Sequence, residues 1–206
     1  MTDPTDIPRC LSAWMELDWR HHSTGLLQAY LPDDASTRIH IWNRGLKLRN
    51  SGEMHNHRFD LQSHVLVGSI THTRLLLTPD EESGTHDVWD IPGASQGSSE
   101  ALRLHDQTSV RGSRVNMEIV DTQRFFEGDS YKVRKWDFHW ARQEADDDGL
   151  TVTLVRLQNK EADRPASLVY PHGHQPTHAF EDKPDPALMR SIVRKARIHL
   201  ELRRGC

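Results

Sequence analysis

Gly52-Glu53-Met54-His55-Asn56-His57-Arg58-Phe59-Asp60-Leu61-Gln62-Ser63-His64-Val65-Leu66-Val67-Gly68 sets two histidines one residue apart, just ahead of an apolar run that closes on glycine. In an extended strand, residues i and i+2 point to the same side. His55 and His57 can therefore converge on one ion without distortion of the backbone. Outward from this stretch the chain reads as short β-rich runs, at Ile39–Trp42, His64–Val67, Ile70–Leu77, Val88–Ile91, Val115–Val120, Ser130–Val133, Thr151–Leu157 and Leu168–Tyr170. Gly, Pro, Asn and Asp punctuate them and no strand–helix–strand alternation is present, which predicts an antiparallel sandwich or barrel.

The 206 residues are enough for one domain with extensions and a single sizeable core. A mean hydropathy of −0.72 and the lack of a long apolar run argue against a transmembrane helix. The first twenty residues mix Asp, Pro, Arg and Trp, unlike a signal peptide, so a cytoplasmic location is expected. The net charge of −4 gives no broad phosphate-binding face, and nucleic acid is not expected as a partner. Cys10 and Cys206, near the two ends, make neither a disulfide framework nor a Cys-rich zinc site. The unusual count is histidine, at 14 as numerous as all Trp, Tyr and Phe combined. Imidazole is the commonest metal ligand and titrates nearest neutrality.

A second informative stretch is Phe126-Glu127-Gly128-Asp129-Ser130-Tyr131-Lys132-Val133-Arg134-Lys135-Trp136-Asp137-Phe138-His139. Together the two stretches resemble the paired motifs of the cupin superfamily. The first of those motifs carries Gly, His-x-His, an acidic residue and a closing Gly. In the second, a Gly-acid turn and a Tyr-containing strand lead to a further His. The resemblance covers roughly residues 37–160 and implies a double-stranded β-helix (jelly-roll) barrel with His55, His57 and His139 as metal ligands. Many metal-binding cupins place Glu at a fourth ligand position, and counting from His57 that position here holds Gln62. The resemblance then implies a three-histidine site like that of cysteine dioxygenase and its relatives, which use Fe(II) and O₂. Neither Cys10 nor Cys206 lies near Gln62 to supply the Cys–Tyr cross-link found in some of them.

Three neutral ligands leave open positions on the metal where an anionic substrate and O₂ can meet. The same ligands would also hold Zn²⁺, Mn²⁺ or Ni²⁺ for Lewis-acid chemistry. Around them, Arg58 or Arg134 is expected to pair a substrate carboxylate as a bidentate fork, and Tyr131 to donate to bound oxygen or substrate. Asp60 is expected to fix the inter-strand turn or to orient a ligand ring. His64 depends on register, for if Gln62 faces the cavity, His64 does too, as a base or fourth ligand. The expected function is a non-haem Fe(II) oxygenase, a dioxygenase acting on an amino acid or another small carboxylate. A non-redox isomerase, lyase or hydrolase, and a non-catalytic binding cupin, are the alternatives.

A rival cluster is His172-Gly173-His174-Gln175-Pro176-Thr177-His178, which Pro171, Gly173 and Pro176 make a loop rather than a strand. His21, His22, His40, His72, His86, His105 and His199 show no ligand spacing and are read as surface or core histidines. His199-Leu200-Glu201 lies within a helical pattern, so its likeness to a His-x-acid iron motif is accidental. The domain reading is an N-terminal arm over 1–36, a barrel over 37–171 with a polar insertion at about 79–113, and a His-rich loop and helix over 172–206. Asp185 and Pro186 start that helix, and Leu188, Ile192, Ala196 and Leu200 form its apolar stripe. Trp14 and Trp19 either offer aromatic anchors for a homodimer or cover the chain's own barrel.

Overall fold

A computed structural model describes residues 13–22, 25–32, 34–46, 54–91, 110–143, 149–161, 165–174, 181–182 and 185–202. Among the described residues, two antiparallel sheets and one α-helix result, the all-β architecture with a C-terminal helix expected from the sequence. The larger sheet runs in the order β12 (Glu181–Asp182), β1 (Arg20–His22), β2 (Leu26–Leu31), β3 (Asp34–Asn43), β10 (Leu150–Gln158), β4 (Asp60–Val67) and β8 (Ser130–Val133). The smaller runs β11 (Ala166–Pro171), β6 (His86–Ile91), β7 (Val110–Phe126), β5 (Ser69–Pro79) and β9 (Phe138–Arg142). Gly68 turns β4 into β5 with φ of 75°, and a Cβ there would meet the Leu150 carbonyl oxygen at 2.5 Å, so only glycine fits.

Strand alternation in the larger sheet builds two different interiors. Ile39 and Ile41 of β3 join Leu27, Ala29 and Val152 in a core that also holds Ile192, Val193 and Ala196 of helix α1 (Pro186–Leu202). The intervening Arg38, His40 and Trp42 turn to the other face and line a cavity inside the barrel. Both faces of β3 are buried from Thr37 to Trp42 because the helix covers one and the second sheet the other. The helix starts where the sequence placed it, since the Asp185 carboxylate accepts the backbone N–H groups of Ala187 (2.7 Å) and Leu188 (3.2 Å). No helix among the described residues is long and apolar enough to cross a membrane.

Two expectations at the N-terminus are corrected. Residues 20–36, read as part of an arm, supply β1, β2 and the start of β3. Trp14 and Trp19, read as dimer anchors, are 0% and 5% exposed and pack in the chain's own core edge to face, with Trp19 Nε1–H donating to the Trp14 carbonyl at 2.6 Å. They present no surface to a second copy. Within the stretch read as a polar insertion, β6 and the start of β7 are paired strands, whereas residues 92–109 lie outside the described residues. So do Cys10, Cys206, His105 and His178.

Candidate metal centre

The ligating atoms of His55, His57 and His139 all lie within 4.8 Å of one another. Ring centroids are 4.7 Å apart for His55 and His57, 4.6 Å for His55 and His139, and 5.0 Å for His57 and His139. Backbone bonds fix this convergence. His55 N–H donates to the His139 carbonyl (3.0 Å) and His139 N–H returns to the His55 carbonyl (2.9 Å). His55 also bridges Leu168, so the 54–56 segment links β9 and β11, the two terminal strands of the smaller sheet.

Asn56, between the two histidines, is buried and points away from them. Its backbone N–H donates to the Ser167 carbonyl (3.1 Å), and its side-chain oxygen accepts Ser167 N–H (2.8 Å). That lock holds both flanking rings on the cavity side. Trp136 adds a further tie, with a φ of 71° and its N–H donating to the His57 carbonyl at 2.9 Å. A non-glycine residue in that region costs about 1–3 kcal/mol, and here it joins the two motif segments directly.

The donor set suits a divalent cation. Burial, the largest cause, together with the neighbouring imidazoles holds His57 and His139 well below the usual histidine pKa, so both are neutral near pH 7. His139 Nδ1–H donates to the Asp137 carbonyl at 3.1 Å, leaving Nε2 as the free lone pair. His57 stacks on Phe59 (4.8 Å between centroids), which fixes its plane.

The cavity measures about 60 Å³, room for about four to six water molecules. Six imidazoles line it, His22, His40 and His72 joining the three ligand candidates. Sequence spacing missed these three because each comes from a different strand and only the barrel brings them together. Burial first, then nearby histidines and cationic side chains, lowers His22 to about 3 and His72 to about 4. His72 stacks on His139 (5.0 Å) and sits 5.3 Å from the Tyr131 ring. Tyr131 lines the cavity as expected, and burial pushes its phenol up to about 12, against the opposing influence of Ser63.

Other expected site residues are placed elsewhere. Along β4 the buried positions are Leu61, Ser63, Val65 and Val67, so Gln62 and His64 face outward. His64 meets Ser130 Oγ at 2.9 Å on the exposed side, far from a base or ligand role in the cavity, and Gln62 lines an outer groove. Arg58 is 6% exposed but is not among the groups lining the cavity, and Arg134 lies in the outer groove. The arginine inside is Arg38, whose Nη1–H donates to Gln28 Oε1 at 3.0 Å while its guanidinium packs 5.1 Å from the Phe59 ring centre. Asp60 fixes a turn, its carboxylate accepting Lys135 N–H (2.9 Å) and the Asn159 amide (2.6 Å). His172 of the rival cluster donates from Nδ1 to the Asp87 carboxylate at 3.1 Å, and among the described residues only His55, His57 and His139 form a candidate metal cluster.

No family model matches the sequence, and comparison with curated proteins finds no match. Among solved structures, the Drosophila melanogaster CENP-C cupin domain aligns at 9% identity and a TM-score of 0.37, covering 77% of this chain and all of that one. The crystal structure of Drosophila melanogaster CENP-C bound to CAL1 aligns at 10% identity and 0.37, covering 75% of this chain and 98% of that one. Cellulomonas parahominis L-ribose isomerase aligns at 16% identity and 0.30, over 81% of this chain and 55% of that one. Such scores transfer no activity, ligand or partner to this chain.

Proposed function

We propose that this protein is a metal-dependent enzyme of the non-haem Fe(II) oxygenase type, acting with O₂ on a small carboxylate-bearing metabolite such as an amino acid or another organic acid. The observation that carries the reading is the convergence of three imidazoles, His55, His57 and His139, within 4.8 Å at the wall of a buried cavity. Ferrous iron held there would supply O₂ activation, with no carboxylate among the described residues lining the cavity to offset its charge. The chain's own residues do the rest. Arg38 attracts and orients the substrate carboxylate, and Tyr131, protonated at neutral pH, donates a hydrogen bond to a substrate oxygen. Leu61, Val133 and Val155 give the cavity apolar walls that limit water.

Elemental analysis of protein purified without added metal, followed by oxygen-electrode assays against a panel of small acids, tests the proposal. About one iron per chain and substrate-triggered O₂ uptake are expected. Stoichiometric zinc, manganese or nickel without uptake would move the assignment to a Lewis-acid isomerase, lyase or hydrolase. A chain that retains no metal would leave only a ligand-binding barrel.

A further inference from the structure

Two neighbouring side chains on the inner face of β3 each carry a nitrogen without a partner. His40 and Trp42, 9% and 6% exposed, line the cavity, and His40 Nε2 and Trp42 Nε1 are buried without a hydrogen bond. Both rings are held in place. They meet edge to face at 5.5 Å between centroids, and Trp42 packs in a cluster with Leu26, Val65 and Ile70. A further unpaired imidazole nitrogen, His72 Nε2, lies on β5 of the other sheet, where its ring stacks on His139 and belongs to the metal end of the cavity. Buried polar atoms in native proteins are overwhelmingly paired, so two adjacent unpaired nitrogens at a cavity wall mark where an occupant completes the bonding. The indole fixes the chemistry of that occupant. Its N–H only donates and requires an acceptor, whereas His40 Nε2 donates or accepts according to tautomer. An oxygen satisfies both, because a carbonyl accepts from the two nitrogens and a hydroxyl accepts from Trp42 and donates to His40.

Resting on the metal-site reading above, we infer that Trp42 and His40 form an oxygen-binding subsite, which holds a hydroxyl or carbonyl oxygen of the substrate while another group of the same molecule meets the metal. The substrate class narrows to small acids that carry a second oxygen function beyond the carboxylate. The rest of the wall makes that oxygen a requirement. Leu26, Leu61, Val133, Ala141 and Val155 also line the cavity and offer an oxygen no bond. A molecule that sets a methyl group against Trp42 and His40 leaves both nitrogens unpaired, and a site built around a substrate hydroxyl rejects the analogue lacking it for that reason. Size sets a second limit. The cavity of about 60 Å³ takes about four to six non-hydrogen atoms.

Two pairs of acids, each exchanging a hydroxyl for a methyl group of similar size, provide the test. Glycolate is compared with propionate, and 3-hydroxypropionate with butyrate. Each is titrated by calorimetry into zinc-loaded and metal-free protein, with zinc content measured alongside. In at least one pair the hydroxy acid is expected to bind at least tenfold more tightly than its partner. Trp42→Phe and His40→Leu should each cut that preference to about threefold or less while zinc content stays at one per chain. Should Trp42→Phe fail to fold, His40→Leu and the indole N–H resonances of the wild-type chain carry the test. One of those resonances should move downfield with the hydroxy acid and stay in place with its methyl partner. Equal binding within both pairs, binding of neither hydroxy acid, or a preference that a folded variant keeps would overturn the inference, the last because chelation by the metal alone would then explain it. If the chain takes up no zinc yet shows the preference and its loss in the variants, the oxygen subsite stands and the metal-enzyme reading fails. If it takes up zinc without the preference, the subsite fails and the metal site stands.

Discussion

The chain contains two His-x-His triplets, His55-Asn56-His57 and His172-Gly173-His174, with opposite fates. In the first, the backbone is clamped between β9 and β11, and Asn56 is locked onto Ser167, so both rings face the cavity and meet His139. In the second, Gly173 adopts a φ of 82° and its N–H, like the His172 ring, turns to the Asp87 carboxylate. Spacing alone therefore does not make a ligand pair. An extended backbone held on both sides does, because only then does alternation with a period of two apply. The second triplet acts as a latch that ties the end of β11 to β6.

The largest expected effect separates the two triplets directly. His57→Ala or His139→Ala leaves two imidazoles and should weaken divalent-metal binding at least ~100-fold, beyond the 10–100-fold typical of losing an outer-shell partner. The barrel should remain folded by circular dichroism, since its core is apolar and independent of the site. His172→Ala should keep full metal content. Retention of metal by His139→Ala, or its loss in His172→Ala, would reverse the assignment of the two triplets.

Asn56→Ala sharpens the claim that clamping matters. It strands the buried Ser167 N–H, for about 1–3 kcal/mol of stability, and frees the segment between the ligands, so metal affinity should fall ~10–100-fold with all three imidazoles present. Denaturant unfolding and metal titration read the two effects separately. An Asn56→Ala chain with wild-type affinity would show that the clamp is dispensable.

Acid sensitivity should differ between the regions as well. Five of the cavity histidines, His22, His40, His57, His72 and His139, titrate below their unfolded value near 6.5, with His72 at about 4 and His22 at about 3, so the unfolded chain binds protons that the folded one does not. Their neutral burial is compatible with full stability above pH 6.5, and stability should decline as pH falls from there toward 3. Asp87 behaves as a separate, later contribution. Burial, the largest influence, opposes its ionisation, but hydrogen bonds from His172, Arg111 and Gly173 outweigh it and hold the carboxyl at about 2. Its depressed pKa stabilises the fold above about 4, and that contribution should disappear between pH 4 and 2. Urea unfolding of the metal-free protein at stepped pH should therefore lose stability first from 6.5 downward. Asp87→Asn should flatten only the part below 4; a change in the upper limb would contradict the separation.

The smallest effect concerns the latch itself. His172 is 43% exposed, so its hydrogen bond to Asp87 contributes about 1 kcal/mol or less. His172→Ala should lower the melting temperature by a few degrees, and by less than Asn56→Ala.

Much of this was legible in the residues. The common side of His55 and His57 could be read because strand alternation is a local property, whereas His139 entered only through the resemblance of its stretch to a second motif, and the structure brings the three within 4.8 Å. The apolar stripe and cap of α1 were legible for the same reason. Register was not. Gln62 and His64 turn outward because Leu61, Ser63, Val65 and Val67 occupy the inward face of β4, and a one-residue slip exchanges the two sets. The cavity partners Arg38, His40 and His72 were missed because they belong to strands far apart in sequence. Arg38 and His40 were also hidden by the burial of both faces of β3, where Ile39 and Ile41 serve the helix side. Of the two readings of Trp14 and Trp19 the structure selects burial, because they share a core with Ile192, Val193 and Ala196 of α1, a long-range contact that local spacing does not show.

X-ray absorption spectroscopy of the zinc-loaded, full-length chain tests the central claim most directly. The account predicts a first shell with three imidazole nitrogens at about 2.0–2.1 Å, completed by water or an added carboxylate, and reduced to two imidazoles in His139→Ala. A shell containing sulfur, or one in which three imidazoles persist without His139, would contradict it.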